Sequence, residues 1–153
     1  TVTGYKGSGG SVTVPSTLGG ATVTAIADYA FENNTSITSV SVPSTVTSIG
    51  KGAFANCTYL TSVSLPSGLN SLGNTAFKNC TRLSNVNIPS GLSAIPAGAF
   101  QGCAALTGIT IPSSVASIGT NAFQGCPNLT ITCPSGSAAE SYATANGMNC
   151  NIL

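Results

Sequence analysis

One interval governs the chain. Phe31, Phe54, Phe77, Phe100 and Phe123 stand 23 residues apart, and alanine directly precedes each of them (Ala30, Ala53, Ala76, Ala99, Ala122). Cys57, Cys80, Cys103 and Cys126 keep the same interval three places after phenylalanine, with Asn34 in that place in the first copy. A strict period in the range of roughly 20 to 50 residues belongs to a coil of stacked repeats, in which no copy buries its apolar face alone.

Each copy also carries an alternating pair closed by proline: Val12/Val14, Val40/Val42, Val63/Leu65, Val86/Ile88, Ile109/Ile111 and Ile131/Cys133. Alternation of period two puts these side chains on one face of a short strand and Thr13, Ser41, Ser64, Asn87, Thr110 and Thr132 on the other. Proline ends the strand, and the serine after every proline is expected to bond free main-chain groups of the turn. A second aliphatic pair follows, Val46/Ile49 and its copies, then a glycine in most copies. The Ala-Phe-x-x-Cys segment is expected to turn the chain as one short helical turn. One copy thus makes one circuit of a coil.

Two places depart from the schedule. Pro15 to Pro43 spans 28 residues, which places a five-residue insertion near residues 18–22, in a surface turn of the first copy. After Pro134 the aliphatics stop. Ser137 and Glu140 read as a capping box and Gly147 as a stop, so a short helix is expected to cover the open end of the coil. Cys133 and Cys150 flank that helix outside the cysteine ladder, and their placement predicts a disulfide between them. The divisions expected are a lead over 1–11, repeats over 12–134 and a cap over 135–153, forming a single domain.

Composition narrows the partners. The only ionised side chains are Lys6, Lys51, Lys78, Arg82, Asp28, Glu32 and Glu140; histidine is absent and the net charge is +1. Four scattered cations build no basic face for nucleic acid or an anionic membrane. No run approaches the ~18 apolar residues of a spanning helix, so no membrane insertion is expected of this segment. The chain starts inside its own pattern and without Met, which suits a processed or excised piece of a longer secreted chain.

Residues 40–62, VSVPSTVTSIGKGAFANCTYLTS, resemble the 23-residue BspA-like, or treponemal-type, leucine-rich repeat. The resemblance covers roughly residues 12–134 with some eight positions in register, and CPSGSAAESYATANG resembles the closing segment of that family. The first copy departs with Asn34 for cysteine and Ala27 for glycine, and the fourth with Pro96 for glycine. The resemblance implies a β-rich α/β solenoid: a right-handed leucine-rich-repeat coil with a parallel sheet, about five to six rungs and a short C-terminal capping helix. It also implies an extracellular or cell-surface location, host molecules or other cells as partners, and no catalytic residues to transfer.

The remaining chemistry is sparse. Four cysteines at a fixed period lie in a line, one per rung, whereas tetrahedral zinc needs sulfurs that converge, so Cys57, Cys80, Cys103 and Cys126 read as buried core fillers beside the five phenylalanines. No cofactor or metal is expected. Three carboxylates without histidine assemble no acid–base or nucleophilic site, and the chain is read as non-enzymatic. Asp28 precedes Lys51 by one repeat and is expected to pair with it across rungs. Tyr59 and Arg82 share a column five residues after phenylalanine, either as a small binding hot spot or as a solvated stack. Asn33, Asn34, Asn56, Asn79 and Asn128 match Asn-x-Ser/Thr, a match the repeat itself generates.

The expected function is binding or adhesion. Ser39, Ser41, Ser62, Ser64, Asn85, Asn87 and Thr110 form the candidate ligand face for an extracellular protein or glycan, with a monomer favoured. The alternatives are a structural spacer or a self-assembling surface repeat. Ice binding is disfavoured because the polar columns mix Ser, Asn, Gly and Thr.

Overall fold

The computed structural model describes residues 1–153. In chain order its elements are β1 (Gly10–Thr13), β2 (Thr17–Leu18), β3 (Ala21–Thr22), β4 (Ala25–Ile26), β5 (Ile37–Ser41), β6 (Ser48–Ile49) and β7 (Ser62–Ser64). Then come β8 (Ser71–Leu72), β9 (Asn85–Val86), β10 (Ala94–Ile95), β11 (Gly108–Thr110), β12 (Ser117–Ile118), β13 (Thr130–Cys133), α1 (Ala138–Ala145) and β14 (Asn149–Ile152). The architecture is a parallel-strand solenoid with one short C-terminal helix, as the 23-residue period requires.

Two ladders run along the coil. The first joins β1, β5, β7 and β9 and resumes as β11, β13 and β14; the second joins β4, β6 and β8 and resumes as β10 and β12. Pairing follows the period: Ser39 faces Ser62, which faces Asn85, and Ile26 faces Ile49, which faces Leu72. The inserted residues of the first copy form an antiparallel hairpin of β2 and β3 about Gly19 and Gly20, outside the coil.

Proline explains one break. Gly50, Gly73 and Gly119 donate their main-chain N–H to Ile26, Ile49 and Ile95 of the rung before, at 2.8–2.9 Å. Pro96 occupies that column without an N–H, and the second ladder parts there, between β8 and β10. The Pro turns are closed by main-chain bonds, such as Val46 N–H to Pro43 O at 3.0 Å and Leu92 N–H to Pro89 O at 3.1 Å. The serine hydroxyls expected in that role are not used, because the proline carbonyl already faces the N–H three residues on.

The core is one cluster of 43 buried residues reaching from Val2 to Ala143. The five phenylalanines stack along its axis with centroids 4.9–5.5 Å apart and planes within 14° of parallel. The corner holding them is not the helical turn expected. It is a chain of tight turns, with left-handed residues both two before phenylalanine (Tyr29, Gly52, Thr75, Gly98, Asn121) and two after it (Asn33, Asn56, Asn79, Gly102, Gly125). The left-handed residues break the helical run and turn alternate N–H groups toward the next rung; Phe54 N–H meets Ala76 O at 2.8 Å and Phe77 N–H meets Ala99 O at 2.8 Å. Asn, Asp and Gly adopt this conformation at least cost, which accounts for most of both columns.

Tyrosines close the stack at both ends. Tyr5 lies on Phe31 at 5.6 Å, and Val2 pairs beside Ile26, so the lead over 1–11 forms a partial rung. At the other end Tyr142 of α1 meets Phe123 edge-on at 6.0 Å. The helix docks through Ala139 and Ala143. Its N-cap Ser137 accepts from Glu140 N–H at 3.2 Å, while the Glu140 carboxylate accepts from Gly136 N–H at 2.6 Å. In the expected capping box that carboxylate would bond Ser137 N–H, but this donor is taken by Pro134 O. Met148 N–H to Ala143 O and Gly147 N–H to Thr144 O end the helix in a Schellman motif, with Gly147 at φ 62°. The crossover returns the chain as β14, parallel to β13.

Candidate functional site

The outward side of the first ladder is a strip of small neutral side chains. Successive strands place Ser11, Ser39, Ser62, Asn85, Gly108, Thr130 and Asn149 in one column. A parallel column holds Thr13, Ser41, Ser64, Asn87, Thr110, Thr132 and Asn151. Asn149 and Asn151 escaped the sequence reading because they lie 19, not 23, residues after Thr130 and Thr132; the alternation Asn-Cys-Asn-Ile was the signal available.

These side chains are not equivalent. Ser39 donates to Ser11 Oγ at 2.8 Å, so this end of the strip is internally bonded. The Asn87 amide turns back on β7: its Oδ1 accepts from Leu65 N–H and its Nδ2 donates to Leu65 O, both at 3.0 Å. Asn87 thereby replaces a missing strand pairing, and its amide is committed to the sheet. Between β9 and β11 the ladder is open, leaving a shallow depression of about 430 Å³ walled by Asn87, Ile88, Gly108, Thr110 and Thr132. Ser41, Ser62, Ser64, Asn85 and Thr110 carry no side-chain hydrogen bond within the protein.

The corner edge gathers the charges. Arg82 Cζ sits 4.3 Å from the ring centroid of exposed Tyr59, so the structure brings this pair together as a cation–π contact. Lys51 Nζ stands 5.8 Å from the Tyr29 ring. Asp28 does not pair with that ammonium as expected: its Oδ1 accepts from the Lys51 main-chain N–H at 2.7 Å. The rung spacing brings the backbone donor nearer than the long side chain can profitably fold. Lys51 titrates above the usual lysine range, chiefly through its contact with Tyr29.

The cysteine ladder faces inward. Cys57, Cys80, Cys103 and Cys126 are buried, and each Sγ donates to the main-chain oxygen of the phenylalanine one rung back, at 3.1–3.3 Å. Burial pushes the Cys57 thiol up to about 12 and the Cys126 thiol up to about 11, and raises Cys80 and Cys103 further. Such thiols are neutral and unreactive at ordinary pH. Asn34, in the cysteine place of the first copy, instead accepts from Ser36 N–H and Ile37 N–H.

Cys133 and Cys150 bring their sulfurs to 3.4 Å of each other, and no disulfide is seen between them. The register explains the gap. Cys150 lies opposite Ile131 and Cys133 opposite Ile152, which makes the two cysteines diagonal neighbours across β13 and β14. No helix is long and apolar enough to cross a membrane.

Solved structures share this coil. A leucine rich repeat protein of T. pallidum superposes with a TM-score of 0.81 at 36% identity, over 84% of this chain and 61% of its own. A leucine rich cell surface protein of Faecalibacterium prausnitzii gives 0.56 at 21% identity, over 93% and 59%, and shows the fold alone. The pneumococcal vaccine antigen PcpA gives 0.62 at 25% identity, over 84% and 41%. The chain therefore spans about three fifths of the length of the first two. No individually curated protein matches it. The family model described as the BspA type leucine rich repeat region matches residues 20–149 in 6 copies, and the chain belongs to that family.

Proposed function

We propose that the chain is a non-enzymatic binding or adhesion module of an extracellular or cell-surface protein, and that it engages protein or glycan through its outward strand face. One observation carries the reading. Ser41, Ser62, Ser64, Asn85 and Thr110 stand on consecutive strands with no side-chain hydrogen bond to the protein, so their hydroxyls and amide are free to meet a partner. A parallel sheet presents them at fixed spacing, and little backbone freedom is left to lose on binding. Family membership and the likeness to the pneumococcal vaccine antigen agree with a surface location.

The test is retention of matrix proteins, mucins, neutral glycans or whole cells on immobilised protein, compared with a Ser41→Glu, Ser64→Glu variant. Retention that the variant loses supports the strand face. Retention unchanged in the variant but lost in Tyr59→Ala, Arg82→Ala moves the contact to the corner edge, where a stacked tyrosine and arginine resemble an interface hot spot. No retention by the unaltered protein identifies a spacer.

A further inference from the structure

Each corner hands its axial donors to the corner that follows. Gly98, Phe100 and Gly102, for example, donate to Thr120 O, Ala122 O and Gln124 O at 3.0, 2.8 and 2.7 Å. The four successive corner pairs make twelve such bonds, and all of them point their N–H toward the C-terminal end. Aligned peptide dipoles leave partial positive charge on the donor groups at the end of the row, as at the start of a helix.

The last corner has no successor. Phe123 N–H is satisfied by the Tyr142 hydroxyl at 3.3 Å, a side chain standing where a rung carbonyl would lie. Asn121 N–H and Gly125 N–H, the flanking members of the same row, have no partner in the protein. Both residues line a cavity of about 480 Å³ between this corner, α1 and the turn into β14. That size suits a small-molecule site rather than a macromolecular groove.

The walls define the ligand. Gln124 uses its Oε1 on Gln101 and keeps its Nε2 free; Asn146 uses its Nδ2 on Tyr142 O and keeps its Oδ1 free. Rings of Phe123 and Tyr142 and the Met148 side chain supply apolar patches, and no ionised side chain lines the cavity. Two fixed donors, one amide donor and one amide acceptor match a group that both accepts and donates while offering C–H faces. The unpaired donors alone would also suit a carboxylate or phosphate, but the free acceptor Asn146 Oδ1 would face anionic oxygens that carry no proton to donate, whereas a hydroxyl supplies one.

We infer that the notch at the last corner binds an uncharged saccharide residue, whose oxygens accept from Asn121 and Gly125 while a hydroxyl donates to Asn146 Oδ1. This site is separate from the strand face and stands or falls independently of it.

Titrating ¹⁵N-labelled protein with maltose, lactose and diacetylchitobiose, with glucuronate and a blocked neutral tripeptide as further arms, decides the matter. Expected are saturable shifts of the Asn121 and Gly125 amide resonances with at least one neutral disaccharide at millimolar concentration. The affinity falls roughly fivefold in Gln124→Ala, the weight of one hydrogen bond, with the melting temperature unchanged because Gln124 is exposed and bonded only to the Gln101 side chain. Movement of the two amides by glucuronate alone, or by the tripeptide alone, overturns the saccharide assignment. So does silence at these amides across the whole panel, or shifts confined to the strand face.

Discussion

The thiol of Cys80 donates to the main-chain oxygen of Phe54, one rung back, at 3.1 Å, and Cys57, Cys103 and Cys126 repeat the contact. A cysteine at this position therefore does more than fill space. It satisfies a second lone pair of a buried carbonyl whose first is used by the turn, since Phe54 O also accepts from Cys57 N–H. Serine would bond as well but would bury a more polar group, and alanine would leave the oxygen half satisfied.

That arrangement makes the fold sensitive to alkali. The four ladder thiols titrate above the ~8.5 of an unfolded cysteine, Cys126 at about 11 and Cys57 at about 12. Burial is the main cause. Below the unfolded value both states hold the proton and the full stability is present. As pH rises beyond it the unfolded chain releases protons first, and each thiol withdraws about 1.4 kcal/mol per pH unit until its folded value is reached. Urea unfolding at pH 7, 9 and 10.5 is expected to show a falling stability, and Cys80→Ala, less stable at pH 7, is expected to show a shallower fall. An equal slope in both proteins would remove the ladder as its source.

Phe77 is the middle ring of the stack, fully buried between Phe54 at 5.3 Å and Phe100 at 5.4 Å. Phe77→Ala is expected to cost about 3–5 kcal/mol, from lost burial and from a cavity the coil cannot close without shifting both neighbours. Rungs couple only to their neighbours, so amide exchange is expected to quicken first in the two adjoining rungs. A melting curve like that of the unaltered protein would contradict the role of the stack.

What the sequence discloses follows from repetition. Strand, turn, aliphatic pair and phenylalanine are legible because each rung copies the last, and five copies average away local ambiguity. Features that occur once are not averaged. Tyr5 and Tyr142 close the stack from 26 residues before Phe31 and 19 after Phe123, off the interval, and no periodic signal reports them. Asn87 looks like any other outward residue of the strip until the β9 break shows its amide holding Leu65. The same holds for Asp28, whose partner proves to be a backbone group rather than the ammonium of the same lysine.

The six thiols divide into three environments. Four lie in the ladder, Cys133 is buried at the end of β13, and Cys150 alone is partly exposed. An alkylating maleimide at pH 7 is expected to label one cysteine rapidly in native protein and all six in denaturant. Four labelled in denaturant would reveal a bridge between Cys133 and Cys150. Several labelled rapidly in native protein would mean that the ladder opens.

Thr75 stands two residues before Phe77 at φ 57°, in a column where Gly52 and Gly98 occupy the same left-handed conformation at 57° and 62°. A β-branched side chain pays most for that region, on the order of 1–3 kcal/mol against an extended backbone. Two terms oppose its removal: the hydroxyl donates to Asn74 O at 2.6 Å, and glycine gains freedom in the unfolded chain, worth about 0.4–1 kcal/mol. The hydroxyl contact is local and partly solvated, so its loss is small beside the strain relieved. Thr75→Gly is therefore expected to raise stability by about 0.5–1.5 kcal/mol, while Gly52→Thr, which installs the same strain one rung earlier beside the Tyr29 ring, is expected to lower it. Opposite shifts of the urea midpoint at unchanged slope would establish that left-handed strain at this corner position costs stability; a destabilised Thr75→Gly would show that the hydroxyl outweighs the strain.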